Sequence, residues 1–515
     1  MKPFICSPFG VFFFFLLVSW KVLFVVCYKY PLDDNWHQQT LAINFANGFG
    51  VNYITAPVHN LSGWAVETIY RWPPATASLT GLLLTLTKNI ETAVHLVDGI
   101  ALFFLLSAIR SVVKILNFTG IQQWLLWLLL FFNPALTDLF GSSDLLSLAS
   151  WLWSFYYTLR LASEPQNKKL LVPLIVLGFL PAVFRYQFYV LIFCLPLTVL
   201  FWSYRAGNQL LLKKSMLWLA GTALLLALQW LFIKHSGAVT NPITDTVAFS
   251  PENLSRINAF FISAFVPFYQ FLNFFSAKWG INVIFLYQVT GAASLLLFCF
   301  FLYQLFRSSS TVAASFLKFI SLSAVSSVFF FLCFLSLIYE KQVNGRFTFT
   351  YVQEPRYWGI AIMLIPVLSI AQQPFQKKRF SEFIIWCCIS VSAFVSLYRV
   401  QKTFFQKDAL SVYTQRILPK KKINLAIQTT VAARPLPVVI SCFDKDYAMG
   451  NYNQPYAVVA NDSLLTSGTI QSAKPVWLFL ITKDTLSEKE TRFVTNNHML
   501  LMERTPGIYR LYRNN

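Results

Sequence analysis

The stretch from Val11 to Trp20 reads VFFFFLLVSW, and its only polar residue is Ser19. Such a run is too apolar to lie on the surface of a soluble protein, and similar runs recur along the chain. A lipid bilayer supplies the apolar surroundings that these runs require. The stretch therefore predicts an integral membrane protein.

The composition agrees with this prediction. Of 515 residues, 56% are hydrophobic, 17% are aromatic and 12% are charged, and the mean hydropathy is +0.55. These values exclude a disordered chain and a small secreted scaffold. The formal net charge of +20 comes from short basic clusters between apolar runs. Clusters of this kind set membrane topology, so we do not expect a nucleic-acid partner.

A membrane-spanning helix needs about 20 largely apolar residues, and about eleven segments qualify. They lie near residues 9–28, 92–110, 121–140, 144–162, 170–184, 186–203, 215–233, 282–306, 312–338, 357–372 and 383–399. Alternating segments of about ten residues, which a membrane barrel would need, are absent from the sequence. The fold class predicted is therefore an all-α polytopic membrane protein whose first apolar run is a retained span rather than a removed signal peptide.

Basic clusters orient these spans. With the amino terminus inside, the even-numbered spans bring basic residues to the cytoplasmic face. A long first external loop, residues 29–91, then lies on the opposite face. Residues 258–275 are uncharged and aromatic; we predict an interfacial helix there, because a further span would invert the later basic clusters.

The chain changes character beyond Val400. We predict a transmembrane domain at residues 1–399 and a small extracytoplasmic α/β domain at residues 400–515, with Phe404 to Ile417 as a helix and the basic run Lys420 to Lys422 as a solvated linker. Short apolar runs predict strands. These runs are Val438 to Cys442, Val476 to Thr482, Met499 to Glu503 and Ile508 to Tyr512.

Two adjacent carboxylates, Asp33 and Asp34, follow the first span and open the stretch DDNWHQQTLAINFANGFG, which ends at Gly50. Carboxylates at a membrane boundary are costly, and repulsion between neighbours raises the pKa of one of them, which suits a general base. The competing interpretation is structural, because Asp is favoured at the start of a helix.

This loop resembles the first external loop of C-type (GT-C) integral-membrane glycosyltransferases, the relatives of protein O-mannosyltransferases and aminoarabinose transferases. The Asp pair, Ala42, Asn44 and Gly48-x-Gly50 carry the resemblance. Two further segments agree with it. They are Tyr70-Arg71-Trp72-Pro73-Pro74 before the second span and Glu354-Pro355-Arg356-Tyr357 at the start of a late span.

The resemblance implies a transferase that takes a sugar from a polyprenyl-phosphate donor, with a carboxylate of the first loop as the catalytic residue. Asp33 matches best by position and Asp34 stays an alternative. The attacking hydroxyl must lose a proton, while the lipid phosphate leaves without gaining one, so one base and several cations suffice.

Cations on the predicted outer face are candidates for binding the donor phosphate, because the guanidinium group suits phosphate oxygens. The candidates are Arg356, Arg185 and Arg71. Arginines at the ends of spans also extend towards lipid headgroups, which is the structural alternative.

Four further residues are candidates for contacting the acceptor, the sugar or a metal. They are Asp144, His37, Tyr357 and Glu354. Asp144 could instead cap a helix. No cofactor is required by this chemistry, and a divalent cation, Mg²⁺ or Mn²⁺, is an open alternative at Asp144.

The sequence thus predicts a multi-pass hexosyl- or pentosyltransferase of the cell (plasma or inner) membrane with an extracytoplasmic active face. Its expected partners are the polyprenyl-phosphate sugar, the bilayer and a glycan, lipid or protein acceptor. A transporter or flippase of lipid-linked glycans is the alternative, although it would favour polar residues at mid-membrane and internal symmetry. A scaffold is a third possibility, in which the Asp pair would be replaceable.

Overall fold

The computed structural model describes most of the chain. The described residues are 19, 33–68, 73–133, 143–186, 188–235, 247–249, 279–280, 283–307, 312–340, 359–372, 383–394, 418–443 and 454–515. The predicted first span, apart from Ser19, lies outside them, as do the predicted interfacial helix at residues 258–275 and the predicted helix Phe404 to Ile417.

The chain divides into two compact units. The first comprises residues 1–27, 100–231 and 242–400, and the second comprises residues 28–99, 232–241 and 401–515. The second unit therefore contains both the first loop and the tail. This grouping was not predicted from the sequence, and the domain limits at residues 1–399 and 400–515 stay a prediction.

The described part of the chain is mostly helical. From the first loop to residue 235 the helices are α1 (Asp33–Ala46), α2 (Ala75–Thr87), α3 (Ile90–Ile115), α4 (Gly120–Phe132), α5 (Ser143–Ser163), α6 (Leu171–Phe184), α7 (Phe188–Leu191), α8 (Cys194–Arg205) and α9 (Gln209–His235). The later helices are α10 (Val283–Arg307), α11 (Val312–Leu337), α12 (Gly359–Gln372), α13 (Phe383–Phe394), α14 (Leu418–Ala433), α15 (Asn461–Ser467) and α16 (Glu488–Asn496).

Helices occupy the predicted apolar segments wherever the structure describes them. Among the described residues, three helical segments are long and apolar enough to cross a membrane. They are Ile90–Ile115, Gln209–His235 and Phe188–Arg205, the last of which comprises α7 and α8. Shorter apolar helices account for several other segments, for example Gly120–Phe132, whose first turn is closed by a capping box between Thr119 and Gln122.

The second unit contains a seven-stranded mixed sheet in the order β2-β1-β6-β5-β7-β9-β8. Its strands are β1 (Tyr53–Thr55), β2 (Ala65–Glu67), β5 (Val438–Cys442), β6 (Tyr456–Val458), β7 (Trp477–Lys483), β8 (Leu500–Thr505) and β9 (Tyr509–Arg513). In the first unit, β3 (Val247–Phe249) pairs antiparallel with β4 (Ile338–Glu340).

The four strands predicted in the tail are present, each within two residues of its predicted limits. Strands β5 and β7 read as continuous apolar runs because both faces of the sheet are covered. Val439, Leu478 and Leu480 enter one core. Alternate residues enter the other core, where α14 packs through Ile423 and Ile427.

The interpretation of Lys420 to Lys422 as a linker is wrong. These lysines lie within the first five residues of α14, Leu418–Ala433. Pro419 suits the first turn of a helix, because a first-turn N–H has no partner within the helix. Ile423, Ile427 and Val431 recur at four-residue spacing and are buried. That apolar stripe, rather than the charges before it, decides the structure.

Candidate functional site

The Asp pair lies at the start of a helix, because α1 begins at Asp33. A carboxylate in the first turn is stabilised by the helix dipole, so this placement fits the structural interpretation as well as the catalytic one. Described side chains of α1 begin at His37. The chain then leaves α1 through Gly48 and Gly50, which have φ of 86° and 69°, a left-handed conformation that glycine adopts without strain.

One face of α1 carries three polar side chains at successive turns. His37 Nδ1 lies 2.7 Å from Tyr53 Oη. Thr40 Oγ1 lies 3.1 Å from Tyr456 Oη. Asn44 Nδ2 donates to the Asn52 carbonyl oxygen at 2.7 Å. This face therefore contacts protein along its whole described length.

Helical periodicity places Asp33 on the same face as His37, four residues later in the chain. Asp34 lies about 100° further round the helix, because the α-helix has about 3.6 residues per turn. Positions 33 and 34 therefore belong to different faces of α1.

Another face of α1 packs against α2 (Ala75–Thr87) at a close contact. A Cβ at Gly81 would lie 2.7 Å from Phe45 Cδ1 and 2.8 Å from the Ala42 carbonyl oxygen. Ala42 and Ile43 are fully buried and join Leu84 in a small apolar core. Gly81 is therefore required for α1 and α2 to approach this closely.

The loop that follows α1 is part of the tail's sheet. Strand β1 pairs parallel with β6 through Thr55 and Val458, and the Ala56 N–H donates to the Val458 carbonyl oxygen at 3.1 Å. Further along the loop, the Leu61 N–H donates to the Gln471 carbonyl oxygen at 2.9 Å. Residues of the first loop and of the tail also share one hydrophobic core, which includes Ile54 and Leu61.

In the first unit, Arg185 and Asp144 form a buried ion pair. Arg185 Nε donates to Asp144 Oδ1 at 2.9 Å, and the two side chains are 6% and 1% exposed. Asp144 lies in the first turn of α5, and Arg185 follows the last turn of α6. Both helix dipoles favour these charges. Both residues were candidates from the sequence, but their contact was not predicted.

The pair lies where α5 and α6 are in close contact. Ser147 Oγ donates to the Pro181 carbonyl oxygen at 3.3 Å, and the Arg185 N–H donates to the same oxygen at 3.0 Å. Asp144 and Arg185 therefore belong to one end of the helix pair.

Four predicted site residues lie outside the described residues, namely Arg71, Glu354, Arg356 and Tyr357. Within the described ranges, no group of three or more His, Cys, Asp or Glu side chains could hold a metal ion. A cation at Asp144 would have to share that carboxylate with Arg185.

Sequence reasoning missed Tyr53 and Tyr456. Both lie in strands of three residues, Tyr53–Thr55 and Tyr456–Val458, which are too short to show a periodicity. The signal available for the second was QPYAVV, a Pro followed by an aromatic and β-branched run.

Comparison with solved structures shows the fold that these units build. A crystal structure of ArnT from Cupriavidus metallidurans bound to undecaprenyl phosphate aligns over 99% of this chain and 99% of that chain, with a TM-score of 0.52 at 10% identity. The apo-state structure of the same protein aligns over 98% of each chain, with a TM-score of 0.53 at 10% identity. No protein-family model matches the chain, and no curated protein matches its sequence.

ArnT is an aminoarabinose transferase with the GT-C fold. The predicted resemblance to C-type glycosyltransferases is therefore confirmed at the level of the fold.

Proposed function

We propose that this chain is an integral-membrane glycosyltransferase that transfers a sugar from a polyprenyl-phosphate donor to an extracytoplasmic acceptor. The observation that carries the proposal is the likeness to ArnT over nearly the full length of both chains, including a structure bound to undecaprenyl phosphate. A fold is shared by many functions, so the assignment depends on the residues of this chain as well.

The proposed base is Asp33 or Asp34. The acceptor hydroxyl attacks the anomeric carbon, the carboxylate takes the hydroxyl proton, and the bond between the anomeric carbon and the phosphate oxygen breaks. The lipid phosphate leaves as an anion. A positioned base of this kind contributes about 10²- to 10⁴-fold in rate.

Arginines are the proposed partners of the donor phosphate. Arg356, Arg185 and Arg71 would neutralise the charge that develops on the leaving phosphate. Arg185 Nε lies 2.9 Å from Asp144 Oδ1, so this ion pair fixes the orientation of a buried guanidinium group. His37, Asp144, Glu354 and Tyr357 would contact the sugar or acceptor, and a divalent cation at Asp144 is retained as an untested alternative.

The proposed setting is the cell membrane, with about eleven spans and the active face outside the cytoplasm. The long apolar helices Ile90–Ile115, Phe188–Arg205 and Gln209–His235 support a location in the membrane. The sugar is a hexose or a pentose, and the acceptor is a glycan, a lipid or a protein.

The test is mass spectrometry of polyprenyl-phosphate sugars in membranes containing wild-type protein, Asp33→Asn, Asp34→Asn or the double variant, at matched protein levels. We expect one sugar lipid to accumulate in the double variant and in the single variant that lacks the base. Asp462→Asn is the matched control, because Asp462 is an exposed carboxylate in the first turn of another helix of the same unit.

Identical lipid profiles in all variants, in a host that makes such lipids, would contradict catalysis by the Asp pair. Transport assays with the same membranes would then test the flippase alternative.

A further inference from the structure

The two tyrosines that contact α1 stand on neighbouring strands of one sheet. Tyr53 and Thr55 lie on the same face of β1, and Tyr456 and Val458 lie on the same face of β6, because side chains alternate along a strand. Thr55 pairs with Val458. The same register, continued by two residues, places Tyr53 beside Tyr456.

The spacing of this pair matches the helix. Neighbouring strands lie about 4.8 Å apart. His37 and Thr40 are three residues apart, which is about 4.5 Å along the axis of α1. Two adjacent phenols can therefore hold two successive turns of the helix, and the hydrogen bonds His37–Tyr53 at 2.7 Å and Thr40–Tyr456 at 3.1 Å do so.

Tyr456 is buried in the sheet's core, whereas Tyr53 is half-buried. Tyr456 is 1% exposed and packs in the core that contains Trp477 and Phe479 of strand β7. Strand β6 lies between β1 and β5, so the backbone around Tyr456 is paired with a strand on each side. Thr40 and Tyr456 are 416 positions apart in the chain, so the tail positions a helix that begins immediately after the predicted first span.

We propose that Tyr53 and Tyr456 are positioning residues for the reaction: they fix the rotation of α1 about its axis and thereby the place of Asp33, which shares their face of the helix. The inference rests on the proposed function, since it takes Asp33 as the base. It gives the tail domain a role in catalysis without any contact between tail residues and the reacting atoms. A base displaced by about 1 Å can lose about 10²-fold in rate.

The test uses the full chain in lipid nanodiscs with Tyr53→Phe, Tyr456→Phe and Thr40→Val. The Phe variants remove a hydroxyl and keep the ring, while Thr40→Val breaks the second hydrogen bond from the helix side without altering the sheet. Tyr512→Phe is the matched control, because that phenol is buried in the same sheet and its hydroxyl meets Arg510 at 3.5 Å rather than α1.

Two readouts separate positioning from catalysis. Hydrogen–deuterium exchange of the α1 amides reports whether the helix is held. The initial rate of loss of the sugar lipid that accumulates in Asp33→Asn, measured over a range of its concentrations, reports kcat and KM. We expect each Phe variant to lower kcat about 10-fold with KM within about two-fold, and to raise α1 exchange, since the hydroxyl positions the base rather than the donor. We expect Tyr512→Phe to change neither.

The Tyr456→Phe/Thr40→Val double variant should lower kcat no more than the more damaging single variant does, because both changes remove the same hydrogen bond.

Unchanged α1 exchange in both Phe variants would overturn the positioning role, whatever the activity. Raised exchange with wild-type kcat, while Asp33→Asn still accumulates the sugar lipid, would overturn the link to catalysis and leave the proposed function intact. No accumulation in the Asp33→Asn and Asp34→Asn variants would overturn both proposals.

Discussion

The buried pair of Arg185 and Asp144 predicts a measurable coupling between two helices of the first unit. Three variants test this coupling: Arg185→Met, Asp144→Leu and the double variant. Each replaces a charged side chain by an apolar side chain of similar length. At the observed 2.9 Å and an effective dielectric constant of about 20, Coulomb's law gives an attraction of about 6 kcal/mol. The cost of removing both charges from water offsets much of this attraction.

Each single change should therefore lower the free energy of unfolding by about 3–5 kcal/mol, since it leaves one charge without this contact in a site nearly closed to water. The double change should lower it by less than either single change, because neither charge remains. The assay is a reversible titration with SDS in mixed micelles, followed by Trp fluorescence.

A double variant whose loss equals the sum of the two single losses would refute this reasoning, because additivity means that the pair contributes no coupling. If the pair stabilises the fold this strongly, Arg185→Met will also lower activity by reducing the amount of folded protein. Activity of Arg185 variants should therefore be compared at equal amounts of folded protein.

Three shorter predictions concern the second unit. Gly81→Val should separate α1 from α2, because the added carbons meet Phe45. We expect the free energy of unfolding to fall by about 1–3 kcal/mol and proteolysis of the first loop to become faster. Unchanged stability and proteolysis would contradict this reasoning. Ser487→Ala should remove the capping box of α16 and cost about 1 kcal/mol, measured as faster amide exchange in that helix. Hydrogen bonds led by Arg504 hold the pKa of Asp484 well below its usual value of 3.8; the stabilisation is therefore present above about pH 4 and is lost as the pH falls through the lowered pKa. Protection factors of the β8–β9 hairpin amides, which divide the exchange rate of the unfolded chain by the observed rate at the same pH, should fall on acidification in the wild type. They should already be lower at pH 7 in Asp484→Asn, and equal protection in both proteins at pH 7 would contradict this.

Much of the fold could be predicted because the relevant patterns are local. The apolar segments near residues 92–110 and 215–233 became α3 and α9, since about 20 apolar residues suffice to define a helix that crosses a membrane. The strand Val438–Cys442 was predicted with its exact limits, because a short β-branched run after Pro435 and Pro437 favours a buried strand.

The basic run Lys420 to Lys422 shows where local reasoning failed. Charge suggested a linker, but the apolar residues that follow at four-residue spacing, from Ile423 to Val431, bury one face of α14 against the sheet. The free energy gained by that burial outweighs the repulsion among three adjacent lysines, which individually favour a helix.

The candidate site was only partly accessible to sequence reasoning. Asp144 and Arg185 were selected as separate residues, because each is a charged residue near the end of an apolar run. Their contact depends on how α5 and α6 meet at Ser147 and Pro181, which no single segment encodes. Tyr53 and Tyr456 were missed because three-residue strands acquire their structure from their neighbours in the sheet.

The sequence by itself determined the helical membrane class, the C-type glycosyltransferase resemblance and four strands of the tail, because each depends on residues close together in the chain. Only the tertiary structure decided that the first loop completes the tail's sheet, that Asp144 meets Arg185, and that Tyr456 meets Thr40 across 416 positions. A hydrogen bond forms only within about 3 Å, and such proximity between distant segments is set by the packing of the whole unit.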